Sequence, residues 1–304
     1  MKNVLSAASA VFVMSSTSAF GATLSLDETL GTFNLVTQSY TGNQEVEGRA
    51  WIGSTLSGVT GQFGFASPDD GQGFAELTVI GDIENSTINL TPDTSAIATG
   101  SLVNSTVNNG SFTENAAQVP PIDFSQYVLD SAHIATLGTA DVDTSDQNNI
   151  VFGGGTVVNV DIADLSSGGY SFDFADSDFV IVNVSGTTGQ FGLNALGGAS
   201  DDAPQVLWNF FEATDVQINT AVEGHILAPL AHLSGFSGST EGSVIAGSVA
   251  LTNGELHQQD FLGFAPSAPS LPPAPAPAPV PLPAGGLLLL AGLGAFAGLR
   301  RKAA

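Results

Sequence analysis

Apolar and polar residues alternate along this chain in short bursts. Val158, Val160 and Ile162 form one, Tyr170, Phe172 and Phe174 another, and Val180, Val182 and Val184 a third; Leu77 with Val79 and Val216 with Ile218 are shorter examples. A period of two puts every second side chain on the same face of an extended strand, so each burst predicts a strand with one buried face. Gly, Asn, Ser and Asp fill the gaps, as turns between strands require. One segment has a different period. Phe124, Tyr127, Val128, Ala135 and Leu137 make a helical stripe, preceded by Pro120-Pro121 and stopped by Gly138. Asp123 with Gln126 three residues on is a helix start, which predicts a single helix near Asp123–Leu137.

The strands recur with a fixed period. Gly81-Asp82-Ile83-Glu84-Asn85-Ser86-Thr87-Ile88 aligns with Gly100-Ser101-Leu102-Val103-Asn104-Ser105-Thr106-Val107 at an offset of 19 residues. Glu223-Gly224-His225-Ile226-Leu227-Ala228 aligns with Glu241-Gly242-Ser243-Val244-Ile245-Ala246 at an offset of 18, and Glu47-Gly48-Arg49-Ala50-Trp51-Ile52-Gly53 echoes it. Such an offset suits one coil of about three strands and three turns, with equivalent positions stacked ~4.8 Å apart. The expected fold is therefore all-β, a β-solenoid with one short inserted helix covering an open end or flank, plus terminal signal and sorting helices. Chance similarity within a β-sandwich is the alternative. Asn85 over Asn104 is the expected start of a side-chain hydrogen-bond ladder.

The two ends differ in kind from the middle. Met1–Ala22 has a basic start at Lys2, an apolar run from Val4 to Met14 and small residues before a plausible cleavage point, the layout of a secretory signal peptide. Residues 23–265 form the expected domain. Residues 266–279 are a Pro/Ala-rich linker of extended polyproline character. Residues 280–304 open with Val280-Pro281-Leu282-Pro283-Ala284, continue as an apolar run from Gly285 to Leu299 and end on Arg300-Arg301-Lys302. As a helix that run rises about 22 Å, short of the ~30 Å hydrocarbon core, with the basic cluster held on the cytoplasmic side. The pentapeptide, apolar helix and basic cluster, in that order, resemble the VPLPA-CTERM variant of the PEP-CTERM sorting signals. The resemblance implies transient membrane attachment and processing near the motif by an exosortase-type enzyme; an ordinary permanent anchor is the alternative.

A second resemblance spans about residues 28–264. Phe33-Asn34-Leu35-Val36, Glu45-Val46-Glu47-Gly48-Arg49, Val182-Asn183-Val184-Ser185-Gly186, Leu207-Trp208-Asn209-Phe210, Gly224-His225-Ile226-Leu227-Ala228-Pro229 and Gly254-Glu255-Leu256-His257 follow the order of blocks in choice-of-anchor A domains. The family implies an exported adhesive domain with a solenoid core and no catalytic residues to carry over. Ala50-Trp51-Ile52-Gly53-Ser54 replaces an expected Gly-rich run after Arg49.

Charge narrows the chemistry. All 29 acidic residues lie between Asp27 and Asp260, while Arg49 is the one basic residue between Thr23 and Ala284, which leaves that segment at −28. Such a field excludes nucleic acid and anionic polymers as partners. The absence of cysteine excludes disulfides, thiolate metal sites and a cysteine nucleophile. Without lysine in the body there is neither a Walker A loop nor a Schiff-base lysine. His133, His225, His232 and His257 show no metal-ligand spacing; His225 and His232 could approach across a turn. Two acid clusters, Asp141-Asp143-Asp146 and Asp173-Asp176-Asp178, supply hard oxygens that could hold calcium, with Asp69-Asp70-Gly71 a smaller third. An EF-hand is excluded, because Asp146 stands where the loop needs Gly and Phe152 where it needs Glu. Arg49 beside Glu45 and Glu47 reads as an ion-pair hub, or as a clamp for a carboxylated ligand.

These features favour an exported structural or adhesive surface protein, associated with matrix or biofilm, that binds extracellular polysaccharide or matrix protein through a solenoid face. The enzymatic alternative, a polysaccharide-active β-helix hydrolase, would use Asp201-Asp202 as paired carboxylates. No T-x-T occurs, so the sequence offers no regular threonine face of the ice-binding kind.

Overall fold

Every strand pairing is parallel in the structure, a computed structural model that describes residues 23–67, 73–174, 177–197 and 199–269. The expected signal peptide, residues 270–279 of the linker and the sorting tail lie outside the described residues, as do Asp69-Asp70-Gly71 and Asp176. Among the described residues, those from 23 to 268 belong to one compact unit.

The chain visits three sheets in turn. Ala50–Ile52, Leu56–Ser57 and Thr60–Phe63 lie in a wide sheet, a three-stranded sheet and a seven-stranded sheet. Leu77–Val79, Ile83–Glu84 and Thr87–Asn89 pair with them strand for strand, and Ser95–Ala98, Leu102–Val103 and Thr106–Asn108 add the next circuit. The sequence repeats are these circuits. Ile83 pairs with Leu102 and Thr87 with Thr106; Glu223 pairs with Glu241 and Ile226 with Val244. Their glycines hold the turns. Gly81 and Gly224 have φ of +139° and +118°, and a Cβ would lie 2.8 Å from the Thr55 nitrogen at the first and 2.9 Å from Val206 Cβ at the second.

Circuit order departs from a simple climb. The wide sheet runs Ser111–Thr113, Ser95–Ala98, Leu77–Val79, Ala50–Ile52, Leu35–Gly42, Val244–Leu251, His225–Gly235, Val206–Asn209, Val180–Ser185, Val157–Asp161, Ala140–Asp141. The chain builds outward from Leu35 to one edge, crosses to the opposite edge, and builds back until its last long strand meets its first. The crossing, residues 114–139, passes ten inter-strand spacings, ~48 Å. It carries α2, Phe124–Ala135, on the flank of the wide sheet.

Between the sheets lies an apolar core. In one half it is aromatic: Trp208 packs edge-on against Phe152 at 4.9 Å, Phe191 at 5.0 Å and Tyr170 at 5.7 Å, and its indole N–H donates to the Glu223 carbonyl at 2.9 Å. Truncating such a ring to alanine costs about 3–5 kcal/mol. A second apolar layer covers the outer face of the wide sheet. Val36, Trp51, Ile181, Leu207, Leu227 and Ile245 meet Leu26, Leu30 and Phe33 of the N-terminal region and Tyr127 and Ile134 of α2. Strands covered on both faces need not alternate, which is why Ile181 is buried along with Val180, Val182 and Val184.

Two helices, α1 (Leu26–Thr32) and α2, make this cover among the described residues. Ser25 and Glu28 close a capping box on α1. Asp123 caps α2 by accepting from the Ser125 N–H, as the sequence predicts. The buried side of α2 is Tyr127, Asp130, Ser131 and Ile134, rather than the stripe ending at Ala135 and Leu137. Polar contacts turn it. Asn209 Nδ2 donates to the Ser131 carbonyl at 3.0 Å, the Ser131 hydroxyl donates to Asn209 Oδ1 at 2.6 Å, and Asn183 Nδ2 donates to the Ile134 carbonyl at 3.1 Å.

These asparagines also form a ladder: Asn209 donates to Asn183 at 2.9 Å, Asn183 to Asn159 at 3.2 Å and Asn159 to Asp141 at 3.4 Å. Asn85 and Asn104, the pair expected to ladder, instead sit at φ of 48° and 47° as left-handed turn residues, for which asparagine is suited.

Candidate functional site

The outer face of the seven-stranded sheet is not covered by either helix layer, and its side chains fall into rows. Parallel register stacks Thr60, Thr87 and Thr106 in one row and Gln62, Asn89 and Asn108 in the next. Gly61, Ile88 and Val107 between them point inward, so the outward pattern is Thr-x-Gln/Asn on three successive strands. The amide row is tied together, with Asn108 Nδ2 donating to Asn89 Oδ1 at 2.9 Å. Serines lock the adjoining corner: the Ser105 hydroxyl accepts from the Ser86 N–H at 2.9 Å, and the Ser86 hydroxyl accepts from the Val59 N–H at 3.0 Å. The side chains of Thr60, Gln62, Thr87 and Thr106 make no hydrogen bond to another described residue. Their polar groups are open to a ligand. The sequence signal was present as Thr60-Gly61-Gln62, Thr87-Ile88-Asn89 and Thr106-Val107-Asn108. A search for T-x-T misses it, and the first and second copies are 27 residues apart rather than 19.

Beyond Gln62 the same face becomes acidic. Glu45 lies opposite Gln62, and Glu47, Glu241 and Glu255 gather round His257. His257 Nδ1 lies 2.6 Å from Glu241, and Nε2 lies 3.3 Å from Glu255 and 4.0 Å from Glu47. Partial burial opposes the imidazolium, but the hydrogen bond and charge of Glu241, with Glu255 and Glu47 adding to them, hold the His257 pKa above its ordinary value. Burial, reinforced by the charges of Glu255 and Glu47, raises the Glu45 carboxyl. Where the amide and acidic halves meet, a cavity of about 230 Å³ opens between Gln44, Glu45, Thr60, Gln62, Asn89 and Glu255.

The other histidines are separate. His225 is fully buried, its Nδ1 accepting from the Ser243 N–H at 2.9 Å and its ring 5.0 Å from Phe261; burial pushes its pKa down to about 3, so it is neutral. His232 contacts the Ser248 hydroxyl at 2.7 Å further along the same strand, so the two do not approach across a turn. His133 sits in the last turn of α2. Arg49 is buried at 5% exposure.

Five of the six carboxylates read as calcium candidates, all but Asp176, are among the described residues. Asp141 lies on an edge strand, Asp143 accepts from the Ser145 N–H at 3.0 Å, and Asp146 accepts from the Asn148 N–H at 3.0 Å. The Ser145 hydrogen bonds hold the Asp143 carboxyl below its usual range. Asp173 and Asp178 are exposed. Asp141, Asp161 and Asp164 share the wall of a cavity of about 280 Å³, yet among the described residues no three acidic, histidine or cysteine side chains are placed to hold a metal ion. Asp201 and Asp202 occupy one 3₁₀ turn, Ala199–Gln205, where burial and the Asp201 charge raise Asp202. Among the described residues no helix is long and apolar enough to cross a membrane; Gly285–Leu299 and the motif Val280–Ala284 are not among them.

Residues 26–258 match the family described as "Putative Ice-binding-like adhesive domain". No curated protein matches the sequence. Two solved structures are similar to the chain. One is an ice-binding protein from the Antarctic ascomycete Antarctomyces psychrotrophicus, 14% identical, covering 75% of this chain and 95% of its own, with a TM-score of 0.27. The other is an ice binding protein from an Antarctic biological consortium, 13% identical, covering 79% of this chain and 94% of its own, with a TM-score of 0.34.

Proposed function

The chain belongs to the family of ice-binding-like adhesive domains, and we propose that it is an exported, non-enzymatic surface protein that adheres through the Thr/Asn-Gln face of its seven-stranded sheet. On this reading the stacked circuits are a β-solenoid, and the choice-of-anchor A blocks supply its frame: Asn183 and Asn209 are the ladder that fastens α2. A signal peptide exports the chain, and the VPLPA-CTERM tail from Val280 to Lys302 delivers it to an exosortase-type enzyme for display in a matrix or biofilm.

One observation carries the adhesive reading. Thr60, Thr87 and Thr106, with Gln62, Asn89 and Asn108 alongside, repeat the same polar groups in register on strands ~4.8 Å apart. A periodic, pre-ordered row meets an extended surface at several points with little loss of side-chain freedom, because threonine is stiff at χ1. The test is adsorption of the purified full chain to cellulose and hydrated silica. Thr87→Tyr with Thr106→Tyr should abolish it, and Thr188→Tyr, at an exposed site on another face, should leave it intact. Equal adsorption of both variants would exclude this face.

The same threonine row favours a second reading, in which the surface is ice. Partition of the protein into a growing ice front, lost in the Thr87/Thr106 double variant, would establish it; complete exclusion of the unmodified protein would remove it.

A further inference from the structure

The cavity at the junction of the amide and acidic halves has a lining that specifies a ligand. Gln44 is fixed by donating to the Thr252 carbonyl at 2.9 Å, and Asn89 is fixed through Asn108. Glu45, Thr60 and Gln62 are left with unused side-chain donors and acceptors among the described residues. With Asn43 and Gly61 completing it, the lining holds four amides that both donate and accept, one hydroxyl and two carboxylates that accept, with no aromatic ring and no cation. Hydroxyl groups answer this pattern, because each can donate to Glu45 or Glu255 and accept from an amide. Phosphates, sulfates and uronates do not, since Glu45, Glu255 and the surrounding −28 charge repel them. An aliphatic ligand does not either, since it would strand these polar groups without partners.

We propose that this cavity is the primary subsite for a neutral, hydroxyl-rich polysaccharide, whose chain runs on from it across Asn89 and Asn108. The proposal rests on the adhesive reading and narrows it to one class of polymer. The continuation follows from register: Gln62, Asn89 and Asn108 repeat one amide per strand, so a chain seated at Gln62 meets the next amides in sequence without any change of the protein. Partial burial fits the role as well. Glu45 is half-buried with its carboxyl raised by that burial and by Glu255, and a neutral ligand lets it keep a hydroxyl partner in place of water.

Affinity electrophoresis of the full chain through gels holding dextran, hydroxyethylcellulose, alginate or chitosan at 0.15 M salt tests this. At least one of the two neutral polymers should retard the protein, alginate should not, and Gln62→Ala and Glu45→Ala should each weaken retardation about tenfold, the effect of one or two lost hydrogen bonds. Gln217→Ala, an exposed glutamine on another sheet, should change nothing, and matching circular dichroism should show all variants folded. Failure of both neutral polymers overturns the proposal, as does retardation indifferent to Gln62→Ala and Glu45→Ala. Retardation by chitosan alone, fading as salt rises, overturns it in favour of charge attraction. A protein that adsorbs to silica through Thr87 and Thr106 yet ignores both neutral polymers refutes the saccharide subsite alone; one that does neither refutes the adhesive face as well.

Discussion

Replacing Asn209 by alanine isolates the joint between α2 and the wide sheet. The side chain is fully buried and takes part in three hydrogen bonds: to the Ser131 carbonyl at 3.0 Å, to Asn183 Oδ1 at 2.9 Å and from the Ser131 hydroxyl at 2.6 Å. Alanine strands two buried acceptors and a hydroxyl. A buried polar group left without a partner costs about 1–3 kcal/mol, and the hydroxyl can rotate toward its own helix, so the expected loss is ~3 kcal/mol. That is a large share of the ~5–15 kcal/mol by which domains are stable. Urea unfolding of the full chain followed by circular dichroism measures it, with an unchanged m-value showing that the exposed area is the same. Asn194→Ala, whose exposed amide reaches the Gly168 carbonyl at 3.3 Å, is the control and should cost less than ~1 kcal/mol. Asn209→Ala combined with Ser131→Ala should fall short of additivity by at least ~1 kcal/mol, because the bond from the Ser131 hydroxyl to Asn209 Oδ1 is lost in either single variant and can be lost only once. A loss below ~1 kcal/mol, or strict additivity, would refute the account of α2 as fastened by the ladder.

Three further outcomes are expected. His225 is held neutral with a pKa near 3 against an ordinary 6.5, so its contribution is present above pH 6.5 and is lost as pH falls toward 3; His257 is shifted upward, so its contribution is full below 6.5 and lost as pH rises through its folded value. Melting temperatures across pH should show both slopes, and His257→Gln should flatten only the alkaline one; a variant keeping that slope would clear His257. The melting temperature should rise with NaCl as the Debye length falls from ~30 Å at 0.01 M to ~8 Å at 0.15 M. CaCl₂ of equal ionic strength should raise it further if any of Asp141, Asp143, Asp146, Asp173, Asp176 or Asp178 binds the ion, and identical curves would dismiss calcium. Mass spectrometry of surface material should find a chain lacking Gly285–Ala304; an intact Ala304 throughout would refute processing.

Local regularities were legible in the sequence, and their arrangement was not. The Gly81 and Gly100 repeats named the residues that pair, because identical turn demands recur in neighbouring circuits. The α2 signal was equally plain, since Asp123 and the two prolines act within one helical turn. The buried side of α2 was misjudged because Ser131 and Asp130 face inward to meet partners 78 and 138 residues away, which no helical period encodes. The short helix α1 escaped because Ser25 and Glu28 flank too little apolar sequence to signal it. The adhesive rows were hidden because only register reveals that Thr60, Thr87 and Thr106 are neighbours: the first two stand 27 residues apart and the last two 19, so no single period links them.

The meeting of Leu35–Gly42 with Val244–Leu251 governs the order in which the molecule can be completed. Residues 35–113 and 140–251 each stack by short-range steps that can proceed as the chain emerges. Their junction requires the first long strand to wait, one edge unpaired, until the last has been made. The two halves are therefore expected to assemble early and dock late, in a step limited by closure of a loop that contains nearly the whole domain. Any truncation before Val244 leaves an open strand edge and a severed core in the middle of the stack, where aggregation begins, instead of trimming one of its ends.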